Sequence, residues 1–184
     1  STDVGNWGMP FSSLGSEYTS GNPEYSIGAP ACSNTAITVA SYVPQTNTNG
    51  GSFIGGQLSY FSSVGPLTTE ELKPDIAAPG SSIASSISSY TDGNFTQLTS
   101  VNFMGRDYPF ARLSGTSMSS PVVAGVSALI WEANPYLSPW QIKQIIITTS
   151  REDVKTGDIP DSGDYYWGYG KINAYAAIQL ALNT

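Results

Sequence analysis

The chain has 184 residues, 40% of them hydrophobic and only 11% charged, which describes a globular protein long enough for one domain core and too short for two comfortable ones. A formal charge of −7, from 14 acidic against 7 basic side chains, argues against a nucleic-acid partner or an anionic membrane surface. There is no histidine, so the usual proton acceptor for a hydroxyl nucleophile and the commonest zinc ligand are both missing from these residues.

In chain order, residues 1–35 are rich in Gly, Ser, Asn and Pro with no sustained period, and read as an irregular lead-in. Ser1 to Pro10 have neither the basic start nor the apolar stretch of a signal peptide. The single cysteine, Cys32, has no partner for an intramolecular disulfide and is expected to be a buried free thiol. "TAITVASY", Thr35 to Tyr42, is β-branched and apolar between turn residues and suits a buried strand. "LSYFSS" and "PDIAAPG" are shorter strand candidates, the second stopped by Pro79 and Gly80, and "SSIASSISS" follows closely. Up to Leu113 the residues then alternate around Gly105 as a hairpin would.

The end of the chain turns helical. Ser117 to Ala133 carries apolar residues on nearly every face, as a buried central helix would. The longest apolar part of it, Val122 to Trp131, is too short to span a bilayer, so no membrane role is expected. In "SPWQIKQIIITTS", Ser138 at the cap, Pro139 in the first turn and Gln141 three residues past the cap form a capping box. A last helix, "NAYAAIQLAL", opens on Asn173. Strands followed by a buried helix imply an α/β layer domain over residues 1–184.

The stretch "SGTSMSSPVVAG" sets Ser117 at the mouth of that central helix. Backbone N–H groups there have no intrahelical partner, and the helix dipole favours negative charge. A tetrahedral acyl intermediate puts a negative oxygen beside its attacking serine, so this location offers a nucleophile and part of an oxyanion hole together. The small neighbours Gly115, Thr116 and Ser119 would let a peptide approach the backbone. The bland alternative is that Thr116 or Ser117 simply caps the helix.

This stretch resembles the nucleophile motif of the subtilisin-like serine proteases, GTSMAxPHVAG. "FSSVGPLTTEELKPDIAAPG" is similar to the family's FSSxGP followed by KPDIxAPG, "GAPACSNTAITVAS" to the strand before it, and "GYGKINAYAAI" to its closing GxGxINAxxA. The resemblance runs in family order over roughly residues 27–182. It implies a three-layer α/β/α fold with a mainly parallel sheet, of which this chain is the C-terminal portion, and an exported serine endopeptidase acting on proteins or peptides. It implies further that Ser117 is the nucleophile and that its N–H is one oxyanion donor, with Gly115 and Thr116 beside it. The segment Lys73 to Gly80 would pass beneath the site with Asp75 as a structural residue, and calcium binding is possible by the same resemblance.

The departures define what is missing. The family's Asp and His motifs do not occur, so the base would come from an upstream half of the same domain, and these residues alone are expected to be inactive. Val122 stands where the family often has a non-catalytic histidine. Asn6, in "DVGNWG", is the nearest match to the family's oxyanion asparagine, although "STDV" is a poor stand-in for the strand that precedes it. A non-catalytic relative that keeps the fold as a scaffold or peptide binder is the alternative reading.

Three other features have plain explanations. Asp158, Asp161 and Asp164 could offer oxygens to calcium but read better as a solvated loop. Tyr165, Tyr166, Trp167 and Tyr169 could form a carbohydrate or peptide platform but more simply pack a terminal helix onto the sheet. Lys143, between Ile142 and Ile145, is expected to face solvent rather than serve as a base.

Overall fold

The computed structural model describes residues 24–45, 54–90 and 95–184. Two short strands, β1 (Val39–Tyr42) and β2 (Ile76–Pro79), pair in parallel with Val39 opposite Ile76 and Tyr42 opposite Pro79. The strand expected over Thr35 to Tyr42 is therefore confined to its second half, while Thr38 precedes it and binds the start of β2 through its backbone. "LSYFSS" forms no strand. Leu58 makes a single antiparallel bridge to Tyr42, and the serines that follow spend their hydroxyls on neighbouring segments instead of a ladder.

The second sheet is antiparallel, in the order β3 (Ile83–Ser86), β5 (Arg106–Leu113), β4 (Gln97–Phe103). Its β4–β5 hairpin turns at Met104 and Gly105, both with positive φ, as the sequence pattern suggests. β4 is an edge strand, and every residue in it is exposed.

Three helices follow, α1 (Thr116–Ala133), α2 (Pro139–Thr148) and α3 (Ala174–Leu182). Ser138 and Gln141 close the expected capping box on α2, with Pro139 at its first position, and Asn173 caps α3 through the Ala176 N–H. The helices cover one face of the parallel pair, where Ile76 and Ala78 meet Val123, Val126, Ile130, Ile142, Ile146 and Ala177. Alternation along the strands sends Ala40, Tyr42 and Ala77 to the other face, against Trp167. Trp167 thus packs on the sheet, whereas Tyr165 and Tyr166 stay exposed, so the aromatic cluster divides instead of acting as one unit.

Helix α1 is not buried on every side. Ser119, Val123, Val126 and Ile130 face the core, but Pro121, Ala124, Gly125, Ala128 and Leu129 form an exposed stripe at helical spacing. A Cβ added at Gly125 would touch nothing within 4 Å. The apolar periphery read from the sequence is real, and the described residues cover only one side of it.

Two further expectations are corrected. Cys32 is exposed, because it lies in the turn closed by the Ala31 and Ser33 amides, where its Sγ donates to the Ile27 carbonyl at 3.3 Å. Lys143 is buried at 7% exposure, since its side chain crosses to Asp75 and to the chain before β1 instead of reaching water. Asn6 lies outside the described residues.

Candidate active site

Helix α1 begins at Thr116 with Gly115 as its N-cap, so Ser117 is the second helical residue and not the cap. Glycine has no side chain with which to cap, and no side-chain hydrogen bond closes this end. The capping alternative for Thr116 or Ser117 therefore fails; of the first-turn amides, that of Met118 donates to the Gly115 carbonyl at 2.9 Å, which leaves those of Thr116 and Ser117 as the donors an anion would use. Ser117 itself is exposed.

The position of this turn is set by a short backbone relay. The Gly80 N–H donates to the Tyr42 carbonyl at 3.0 Å, and the Gly115 N–H to the Gly80 carbonyl at 2.9 Å, so the end of β1 holds the end of β2, which holds the start of α1. Only glycine fits at position 80. A Cβ there would stand 2.0 Å from Ser119 Oγ, 2.3 Å from Ser41 Oγ and 2.8 Å from the Gly115 carbonyl. The segment Lys73 to Gly80 thus ends, through the Gly80 carbonyl, on the cap of the helix that carries Ser117.

Around Gly80 lies a buried hydroxyl cluster that the sequence did not announce. Ser41 and Ser59 Oγ are 2.8 Å apart, Ser59 and Ser81 Oγ 2.7 Å, and Ser62 Oγ accepts from the Ser41 N–H at 3.0 Å. Ser119, fully buried in the first turns of α1, adds a hydroxyl with no hydrogen-bond partner among the described residues.

Thr116 and Ser117 lie on the wall of a cleft of about 680 Å³, together with Ser120 and Pro121 from the same helix. The opposite sides come from residues 27–31 and 36–39, with Ser63 and Pro74. The lining is mainly apolar, through Ile27, Ala29, Pro30, Ile37 and Val39, and no charged side chain among the described residues belongs to it. Gly115 stands behind the lining at the helix cap. The lead-in residues of the cleft escaped sequence reading because an irregular turn has no period; "GAP" at 28–30, a turn signal before a strand, was the available clue.

Buried charges brace this wall. Asp75 binds Lys73 at 2.7 Å and Lys143 at 2.9 Å, and accepts the Thr38 N–H at 2.7 Å. Burial holds the Lys73 ammonium below the usual lysine range, against the opposing pull of Asp75. A third buried lysine, Lys171, meets Asp153 at 2.6 Å and the Gly56 carbonyl at 2.7 Å, and lies 4.9 Å from the Tyr42 and Trp167 ring centres. Burial raises the Asp153 carboxyl, but its bonds with Lys171 and with the Lys155 and Thr156 amides outweigh that and hold it below the ordinary range. The three spaced aspartates do not converge: Asp164 Oδ1 accepts the Tyr166 and Trp167 amides, while Asp158 and Asp161 are exposed.

Comparison with known proteins decides the family, because the Subtilase family model matches residues 4–170. The chain belongs to the Subtilase family. Bacillopeptidase F of Bacillus subtilis (strain 168) is 32% identical over 88% of this subtilase chain and 10% of its own length. Serine protease AprX of the same organism is 34% identical over 84% of the chain and 32% of its own length. Subtilisin-like protease SBT3.2 of Arabidopsis thaliana is 39% identical over 81% and 20%, respectively. The chain thus spans from about a tenth to a third of the length of these relatives. Among solved structures, fervidolysin from Fervidobacterium pennivorans, a keratinolytic enzyme related to subtilisin, matches with a TM-score of 0.56 and 27% identity over 82% of the chain and 20% of its own. A protease from Pseudoalteromonas arctica matches with a TM-score of 0.55 and 25% identity over 83% and 38%. The α/β arrangement of this subtilase is accordingly part of a subtilisin-like fold.

Proposed function

We propose that these residues form the serine-bearing part of the catalytic domain of an exported serine endopeptidase. The observation that carries the reading is Ser117, exposed at the second position of an uncapped helix N-terminus on the wall of the 680 Å³ cleft. In the reaction, Ser117 Oγ bonds to the scissile carbonyl carbon, its proton passes to a base, and the C–N bond then breaks as that base returns the proton to the departing amine. Water hydrolyses the resulting ester. The Ser117 N–H, with Gly115 and Thr116 fixing the turn, supports the oxyanion.

The base must come from elsewhere, since the sequence has no histidine. The family resemblance assigns it to an upstream His oriented by an Asp, with an Asn completing the oxyanion hole; Asn6 is the local candidate for that last role. The exposed stripe Pro121, Ala124, Gly125, Ala128 and Leu129 supports docking of that upstream portion on α1, because small residues at this spacing permit close packing against another element. The residues alone are inactive in this account. The missing base also favours the alternative reading, a peptide-binding scaffold. Hydrolysis of a peptide library by the full-length gene product, lost in its Ser117→Ala variant, supports the enzyme. Equal peptide binding by both with no hydrolysis supports the scaffold.

A further inference from the structure

Lys143 Nζ has two hydrogen bonds and one ion pair, and they converge on one place. They reach Asp75 Oδ1 at 2.9 Å, the Ala36 carbonyl at 3.1 Å and the Asn34 carbonyl at 3.2 Å. Lys73 Nζ donates to the same Ala36 carbonyl at 3.1 Å and to Asp75 Oδ2 at 2.7 Å. Asp75 Oδ2 in turn accepts the Thr38 amide, and the Asp75 and Ile76 amides donate to the Thr38 carbonyl at 2.8 and 3.3 Å. Apart from the two lysine–Asp75 pairs, every one of these bonds falls on residues 34–38, and residues 36–39 are a wall of the cleft that holds Ser117.

A cluster of two cations and one carboxylate is a costly way to fill a core, since apolar residues of similar volume usually serve stability as well or better. What the cluster provides is rigid placement of backbone carbonyls that belong to no regular ladder. Helix α2, which contributes Lys143, contributes nothing to the cleft lining itself.

We propose that Lys143 is a positioning residue for substrate binding: by tying α2 and Asp75 to the Asn34 and Ala36 carbonyls, it sets the 36–39 wall of the cleft against the Ser117 turn. The inference rests on the proteolytic reading of that cleft. Its effect is on how a substrate side chain is held and not on the reactivity of Ser117, which no donor of the cluster touches.

The test uses the full-length protein with Lys143→Met and Lys143→Arg. The methionine variant removes the three donors while leaving Asp75 paired with Lys73. The arginine variant keeps the charge but offers a planar fork that cannot reproduce the three directions, and it serves if the methionine variant does not fold. With a peptide carrying a bulky apolar residue before the scissile bond, KM is expected to rise about tenfold in either variant, with kcat and Ser117 labelling by a small fluorophosphonate within about threefold of wild type. Deuterium exchange of a peptide spanning 34–42 is expected to quicken at least about tenfold while α1 is unaffected. An unchanged KM, or an equal fall in kcat and labelling, overturns the proposal. If the wild type hydrolyses no peptide, the protease reading fails separately, and exchange alone decides: selective loosening of 34–42 upholds the wall assignment, and uniform or absent loosening overturns it.

Discussion

Replacing Ser119 by alanine should stabilise this subtilase. Ser119 is fully buried, and its Oγ has no hydrogen-bond partner among the described residues, although Ser41, Ser59 and Ser81 form a connected chain around the same glycine. An unsatisfied buried hydroxyl costs about 1–3 kcal/mol. The substitution deletes one oxygen and leaves a void of roughly 10 Å³, which at ~24 cal/mol per Å³ returns only about 0.2 kcal/mol of that gain. Helix propensity adds a few tenths, since Ala is preferred to Ser inside a helix. The net expectation is a gain of about 1–3 kcal/mol, read from guanidinium unfolding of the full-length protein followed by tryptophan fluorescence. The parallel Ser41→Ala change should go the other way, by about 0.5–1.5 kcal/mol, because Ser41 Oγ is bonded to Ser59. A Ser119→Ala variant equal to or less stable than wild type refutes the reasoning, for it shows that the hydroxyl carries a favourable bond.

Other expectations follow from the same contacts. Gly80→Ala forces a Cβ into two serine hydroxyls and the Gly115 carbonyl, so it should cost at least about 2 kcal/mol and slow Ser117 labelling, as the start of α1 is displaced. Asp153→Asn leaves the fully buried Lys171 without its counter-charge; unfolding should show a loss of about 2 kcal/mol or more, moderated because Asp153 is 29% exposed. The pH dependence has a definite sign: the folded Asp153 pKa lies below its unfolded value near 3.8, so its contribution is complete above that value and disappears as pH falls through the lower folded one. Unfolding midpoints between pH 6 and 2 should therefore fall less steeply in Asp153→Asn than in wild type. Lys73 acts oppositely at the alkaline end, since its folded pKa lies below 10.5: the penalty for burying its charge is relieved as pH rises from the folded value towards 10.5, and the Lys73→Met variant should lose that rise.

What could be read in advance follows a physical division. Helices α2 and α3 carry their boundaries in local chemistry, Ser138 with Pro139 and Gln141 in one and Asn173 in the other, and the hairpin announces its turn at Gly105. The place of Ser117 at a helix start was legible because a helix start has a chemistry of its own. The cleft was not, since residues 27–31 form turns whose placement depends on contacts far along the chain. Lys143 misled for a related reason. Helical position places a lysine on a face, but its ion pair with a residue 68 positions earlier is a tertiary fact, and that pair carries it inward. Cys32 erred in the opposite direction, its usual burial overridden by a turn at the surface. "LSYFSS" had a strand's composition, but among the described residues it makes only the Leu58–Tyr42 bridge, and Ser59 and Ser62 entered the hydroxyl cluster.

The central claim, that Ser117 is an activated nucleophile in the complete protein, is tested most directly with a fluorophosphonate probe and mass spectrometry of the modified peptide. The account predicts stoichiometric labelling of Ser117 in the full-length gene product and none in residues 1–184 alone. Failure to label a folded full-length protein, or labelling at another residue, would contradict it.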